Sequence, residues 1–201
     1  MRSEELGVKS EEWRVKRGTR FLNHLGFTDG HTKEEIVVEA VAVLERGLFF
    51  PPELLVLRDA TELIVLHHTG GAAGEDPSAA EIDAIHRGQR WLGVGYHYLI
   101  RKDGTVERGR PAPVVGAHTA GVNARSVGVA LCGNFCEEEP TAAQVESCAM
   151  LLAVLASAYD VPMDAEHIVG HRDLAATACP GDALYARMEE IIGKAIWYCE
   201  Q

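Results

Sequence analysis

Apolar residues recur at helical spacing in four segments of the chain. Three of these segments open with a capping box, in which Ser or Thr is followed three residues later by Glu or Gln, beginning at Thr32, Ser78 and Thr141. In such a box each side chain bonds the backbone N–H of the other residue, and this marks the start of a helix. The pattern predicts helices over 32–47, 78–91 and 141–155, and a fourth over about 182–199.

Short β-rich apolar runs lie between these helices. They predict strands over 62–67, 96–101, 105–108, 126–131 and 167–169. The second and third strands flank Lys102-Asp103-Gly104, a hairpin turn with glycine where a positive φ is needed. Because strands alternate with helices from residue 60 onward, the fold class is α/β with a largely buried sheet.

The N-terminal segment differs from this pattern. Residues 1–55 contain one predicted helix and no strand, and the Pro51-Pro52 pair marks the junction with the rest of the chain. A chain of 201 residues has room for one full domain and a small additional piece. We therefore predict a helical N-terminal extension over 1–55 and a main domain over 56–201.

Charge and hydropathy exclude several classes of protein. The net charge of −11, without a basic stripe, argues against nucleic-acid binding. We find no apolar stretch approaching the roughly 18 residues that a membrane span needs. The first residues lack the apolar core of a secretory signal, so we expect synthesis in the cytoplasm. Of the five cysteines, we expect Cys132, Cys136, Cys148 and Cys199 to be small core residues.

Three features carry candidate chemistry: His67-His68 at a strand end, His171 followed by Cys179, and Tyr96 before another strand. Two imidazoles and one thiolate can hold zinc in a tetrahedron whose fourth position is open to water. The alternative is that these histidines are hydrogen-bonded structural residues, and the His-x7-Cys spacing is not that of a zinc finger. His-Glu-x-x-His, Gly-x-Ser-x-Gly and phosphate-loop patterns are all absent. From spacing alone, a zinc hydrolase is one open interpretation.

Four motifs together resemble one family over about residues 60–190. They are IVLHHTGG, WLGVGYHYLIRKDGTVERGR, GAHTAGVNARSVGVALCGNF and IVGHRDLAATACPGDALY. Their order and spacing resemble those of the amidase type 2 family, which includes phage lysozymes of the amidase type and the animal peptidoglycan recognition proteins. The resemblance implies a central mixed β-sheet flanked by helices, with a groove over one face.

The resemblance also implies a set of site residues. His67, His171 and Cys179 match the ligands of one Zn²⁺ per chain, and Tyr96 matches a tyrosine that stabilises the developing oxyanion. Thr177 takes the place of a lysine that assists proton transfer in phage members; catalytic recognition proteins have threonine there. Further positions match residues of the substrate groove or its supporting shell, namely His68, His97, His118 and Asn123. Ala130 stands where cytosolic recycling amidases place a glutamate, so this chain is more similar to the phage and recognition branch.

The function implied is hydrolysis of the amide bond between N-acetylmuramic acid and L-alanine in peptidoglycan, by a zinc amidase domain over 56–201. Peptidoglycan or muropeptides would be the partner, with neither nucleic acid nor membrane. The missing signal sequence fits an endolysin that reaches the wall through holin-type release. The main alternative is a recognition module that binds peptidoglycan without cutting it, although such relatives commonly lack the cysteine. Residues 1–55 could cap the domain, target the wall or control access to the groove.

Overall fold

The computed structural model describes residues 41–200. Within this range six strands form one sheet, and their bounds are β1 (Val43–Leu44), β2 (Leu63–His68), β3 (Tyr98–Ile100), β4 (Val106–Arg108), β5 (Ser126–Leu131) and β6 (Ile168–Gly170). The same range holds four α-helices, which are α1 (Ala79–Gly88), α2 (Ala142–Tyr159), α3 (Asp182–Ala186) and α4 (Met188–Glu200).

The sheet is mixed, with the spatial order β1-β4-β3-β5-β2-β6. β3 and β4 pair antiparallel, while every other neighbouring pair is parallel. The parallel strands β5, β2 and β6 form the centre and one edge of the sheet, so their carboxyl ends meet at one end of the sheet. This architecture confirms the predicted α/β fold with a central mixed sheet flanked by helices.

Local sequence signals account for the main helices and the hairpin. Ser78 accepts a bond from the Glu81 backbone and its own N–H donates to the Glu81 carboxylate, and Thr141 and Gln144 repeat the arrangement. The predicted hairpin is present, with Gly104 at φ +89°. Two helix predictions were inaccurate in detail: α1 ends at Gly88, before Trp91, and the segment 182–199 contains two helices instead of one.

The two faces of the sheet are covered differently. α2 packs on one face against alternate strand residues such as Ile64 and Leu66, and α4 packs against α2. α1 and the loops cover the other face, which carries Leu63 and Val65. Contrary to our expectation, α2 is long and apolar enough to span a membrane by composition, with a mean hydropathy of 1.4. Most of its residues are buried, so its position in the core accounts for that composition.

The structure corrects another prediction, which concerns the segment before residue 56. Val43 and Leu44 were predicted to be helical, but they form the edge strand β1, paired with Val106 and Glu107 of β4. Residues 41–42 and 45–51 are not helical either. The rest of the predicted helix and of the N-terminal extension, residues 1–40, lies outside the described residues. The division of the chain at residue 55 stays a prediction.

The cysteines are all free, but they differ in burial. Cys132 and Cys148 are buried, as predicted. Cys136 and Cys199 are exposed, so the prediction that they belong to the core was wrong. Cys136 follows β5 in a surface loop, and Cys199 lies in the last turn of α4, where Ile196 and Trp197 are exposed as well.

Candidate metal centre

Three candidate ligands converge at the carboxyl ends of the parallel strands. His67 is the penultimate residue of β2, His171 directly follows β6, and Cys179 lies in the loop before α3. Because β2 and β6 are parallel neighbours, the residues at and after their ends are brought together, which is the usual place for a site in such a sheet. One ligand atom from each of the three residues lies within 4.8 Å of the other two.

The geometry identifies the nitrogen of His67 that faces the other ligands. Its Nδ1 lies 3.6 Å from Cys179 Sγ, and the rings of His67 and His171 are 4.6 Å apart between centroids. Side chains of a strand alternate between faces, so His67 lies on the face of β2 that α2 does not cover. The backbone N–H of His68 points to the same sulfur at 3.4 Å and holds it in place.

Burial controls the protonation of all three side chains. It lowers the pKa of His67 well below its ordinary value, with repulsion from His118 and His171 adding to the effect. Burial also lowers the pKa of His171, so both imidazoles are neutral at pH 7, the form that binds metals. Burial raises the pKa of the Cys179 thiol to about 11, against the lowering effect of the His68 N–H.

This donor set fits a zinc ion. Two neutral imidazole nitrogens and one sulfur form the three-ligand set of catalytic zinc sites, in which a fourth position stays open. A divalent cation stabilises a thiolate directly, so a buried cysteine beside two imidazoles is better suited to ligating a cation than to acting as a free nucleophile. Among residues 41–200, no other group of three such side chains comes together in this way.

Tyr96 lies directly beside this group. Its ring centroid is 5.1 Å from that of His67. Burial raises the pKa of its phenol, and the nearby Cys179 adds to the effect. The hydroxyl is therefore protonated at neutral pH and can donate a hydrogen bond. No residue within 41–200 accepts a hydrogen bond from it, so this donor is available to a ligand.

Thr177 lies on the solvent side of the same loop. Its side-chain oxygen accepts a hydrogen bond from the Cys179 backbone N–H at 3.2 Å. This bond uses a lone pair of the hydroxyl and leaves its proton free to point outward. The structure thus brings the two predicted catalytic residues, Tyr96 and Thr177, to the three candidate ligands.

Two of the predicted groove residues lie in one loop behind His67. His118 is buried, with Nδ1 at 3.0 Å from His67 Nε2, and burial lowers its pKa to about 3. The Asn123 side-chain oxygen accepts the backbone N–H of His118 at 2.9 Å and that of Thr119 at 2.8 Å. Asn123 therefore shapes the turn that carries His118.

The other two predicted groove residues have most of their polar atoms engaged by the protein. His97 is fully buried; its Nδ1 accepts the Gly128 N–H at 2.9 Å and its Nε2 lies 2.9 Å from the Val114 carbonyl. His68 Nδ1 accepts the Phe135 N–H at 3.2 Å. His97 therefore lies behind the site, where it supports neighbouring residues and is out of reach of a substrate.

His86 also supports the site, although we predicted no role for it from the sequence. Its Nδ1 accepts the backbone N–H of Gly95 at 3.0 Å, and its ring lies 5.7 Å from that of Tyr96. It thereby fixes the backbone just before the tyrosine. Nothing in the sequence around His86 indicates this, because the contact joins α1 to a loop nine residues further along.

Comparisons with known proteins identify the family of this chain. The N-acetylmuramoyl-L-alanine amidase family matches residues 57–182. An endolysin of Klebsiella phage KP32 is 39% identical over 128 residues, which is 61% of this chain and 82% of that protein.

Solved structures show the same fold. The amidase LysC from Clostridium intestinale superposes with a TM-score of 0.68 at 38% identity, covering 76% of this chain and 95% of that one. A Drosophila peptidoglycan recognition protein, a PGRP-LB mutant in complex with tracheal cytotoxin, gives 0.65 at 25% identity, covering 73% and 92%. The family match spans more than half of the chain and includes all three candidate ligands. The chain therefore belongs to the N-acetylmuramoyl-L-alanine amidase family.

Proposed function

We propose that this protein is a zinc-dependent enzyme that hydrolyses the amide bond between N-acetylmuramic acid and L-alanine in peptidoglycan. One Zn²⁺ per chain would be held by His67 through Nδ1, by His171 and by Cys179. The observation that carries the proposal is the convergence of these three ligand atoms within 4.8 Å, from positions up to 112 residues apart, beside a protonated tyrosine. When bound, zinc supplies Lewis acidity toward a carbonyl and makes water nucleophilic at neutral pH.

Tyr96 would stabilise the developing negative charge. Attack of water on the lactyl carbonyl carbon converts the carbonyl oxygen into an oxyanion. The Tyr96 hydroxyl, protonated and without a partner among the described residues, can donate a hydrogen bond to that oxygen. Because the surroundings are largely shielded from water, such a bond is stronger than it would be in solution.

Thr177 would assist departure of the L-alanine nitrogen. The leaving amine must gain a proton, and a hydroxyl held at the Cys179 N–H can pass one on between the attacking water and that nitrogen. Ala130 adds no acid or base, although it pairs with His67 in the sheet, at the position where the recycling branch has glutamate. Proton transfer would therefore depend on Thr177 and solvent.

Peptidoglycan is the proposed partner, bound over the open side of the metal centre. A Drosophila peptidoglycan recognition protein of the same fold was solved in complex with tracheal cytotoxin, which supports peptidoglycan as the ligand. Asn123 holds the turn that carries His118 beside this region. We propose that the partly exposed His68 and Asn123 contact the substrate. His97 is fully buried, so no substrate contact is proposed for it.

The endolysin relatives favour a lytic role. In that role the chain would be made in the cytoplasm and would reach the wall after holin-type release. We propose that the catalytic domain spans 56–201 and that the preceding segment adds the edge strand β1 to its sheet.

The decisive experiment is digestion of purified cell walls followed by mass spectrometry of the products. We expect free stem peptides beginning with L-alanine, together with one zinc per purified chain by elemental analysis. Stripping the metal with a chelator should abolish peptide release, and added Zn²⁺ should restore it. Binding of walls without release of peptide would instead establish a recognition module.

A further inference from the structure

The ring of His118 occupies a slot formed by two glycines. A Cβ added to Gly116 would lie 2.5 Å from His118 Cδ2, and one added to Gly128 would lie 2.5 Å from Cγ. Any larger residue at either position would push the imidazole away. The ring is buried and lies edge-on to the ring of His67, at 5.0 Å between centroids. This close fit holds His118 in one orientation.

From His67 a chain of hydrogen-bonding groups runs away from the ligand cluster. His67 Nε2 lies 3.0 Å from His118 Nδ1, and His118 Nε2 lies 3.4 Å from Ser126 Oγ. The Ser126 hydroxyl donates to the Val122 carbonyl at 2.8 Å. A carbonyl can only accept, so this last bond sets the direction of every proton in the chain.

The Val122 carbonyl thereby determines which nitrogen of each imidazole carries the proton. The Ser126 proton points to Val122, so its oxygen accepts from His118 Nε2–H. A neutral His118 then has no proton on Nδ1, which must accept from His67 Nε2–H. The remaining nitrogen of His67, Nδ1, is left with its lone pair facing Cys179 Sγ at 3.6 Å.

We propose that His118 is a positioning residue whose bond from His67 Nε2–H fixes the tautomer in which His67 presents Nδ1 to the metal. This inference rests on the proposed function only in naming zinc as the ion. It replaces the substrate-binding role that the sequence suggested for His118. The opposite tautomer would place a proton on Nδ1, where it would block ligation.

Thr119 reinforces the same direction. Its hydroxyl oxygen is 3.4 Å from His67 Nε2, so it can accept a second, longer bond from the same N–H. At the longer distance it is a weaker acceptor than His118. We therefore expect Thr119 to compensate in part when His118 is replaced.

The test compares variants of His118 that differ in one acceptor. His118→Asn keeps an oxygen near the position of Nδ1, whereas His118→Leu fills the slot without an acceptor. Partners of this kind typically contribute tenfold to a hundredfold in metal affinity. We expect His118→Leu to weaken Zn²⁺ binding about tenfold, and its combination with Thr119→Val about a hundredfold. His118→Asn should stay within about threefold of the wild type. Affinity is measured on metal-free protein by competition with a chromophoric chelator, and circular dichroism checks folding.

The ¹⁵N resonances of the histidine rings test the tautomer without zinc or activity. In the metal-free wild type we expect the proton of His67 on Nε2, and in His118→Leu a shift of population to Nδ1. A wild-type His67 protonated on Nδ1, or a folded His118→Leu that binds zinc as tightly as the wild type, would overturn the inference. Failure of the wild type to bind zinc would refute the proposed function instead, and the resonances would still decide the role of His118.

Discussion

Replacing Tyr96 by phenylalanine removes one hydroxyl from the candidate site and leaves the ring in place. That hydroxyl has no hydrogen-bond partner within residues 41–200. Its loss should therefore change the free energy of unfolding by less than about 0.5 kcal/mol, as for a substitution that touches no stabilising contact. The candidate ligands His67, His171 and Cys179 are unaltered, so zinc content should also be unchanged.

The effect on catalysis should be large, because the role proposed for the hydroxyl is to stabilise the oxyanion as it forms. Losing one such donor costs about 3 kcal/mol in the transition state. Since about 1.36 kcal/mol corresponds to a factor of ten, kcat should fall roughly 150-fold. An interaction made only in the transition state lowers kcat and kcat/KM equally, so KM should stay close to the wild-type value.

The assay is release of peptide from purified walls, followed by chromatography over a range of substrate concentrations. Tyr98→Phe is the matched control: this tyrosine lies two residues further along, but it belongs to the core beneath α2. Full turnover by Tyr96→Phe would refute the assigned role. A rise in KM at constant kcat would make Tyr96 a substrate-binding residue instead.

Three further substitutions test other parts of the structure. Cys179→Ser should weaken zinc binding by more than about a hundredfold, because a serine hydroxyl stays protonated at neutral pH; elemental analysis and chelator competition measure this. Glu107→Gln should destabilise the fold by about 2 kcal/mol in urea titrations, because the buried carboxylate pairs with the partly exposed Arg46 and Arg101. Burial alone would raise the pKa of Glu107, but these partners outweigh it and hold the pKa below its usual value. The ionised Glu107 carboxylate therefore stabilises the fold fully above about pH 4.3, and this stabilisation is lost as the pH falls through the lower pKa of the folded state. Glu107→Gln should not show this loss of stability in acid. Asn123→Ala should cost about 1–3 kcal/mol by leaving two backbone N–H groups without an acceptor, whereas Asn123→Asp should retain most of the stability.

Each of these expectations has a contrary outcome. One zinc per chain in purified Cys179→Ser would show that the ligands are misassigned. An equal loss of stability in acid for the wild type and Glu107→Gln would assign the acid sensitivity to other carboxylates. If Asn123→Asp were as unstable as Asn123→Ala, the acceptor would not be what stabilises the turn.

The sequence by itself determined the parts of this protein that depend on near neighbours. Capping boxes at Ser78 and Thr141 involve residues three apart, so they located α1 and α2 without knowledge of the fold. The turn at Gly104 is equally local. The motifs carrying His67, His171 and Cys179 indicated the candidate ligands through resemblance, and the parallel pairing of β2 with β6 brings them together.

Only the tertiary structure decided features that depend on distant partners. Val43 and Leu44 follow a helical pattern in sequence, yet they form a strand because β4, more than 60 residues away, offers a free edge to pair with. The helical spacing over 182–199 does not reveal the break at Arg187 between α3 and α4. His118 matches a groove residue by motif, but the slot between Gly116 and Gly128 places it behind the candidate ligand His67. Spacing along the chain cannot show such roles, because the direction of a hydrogen bond and the face of a ring are set by whichever atoms the fold brings within about 3 Å.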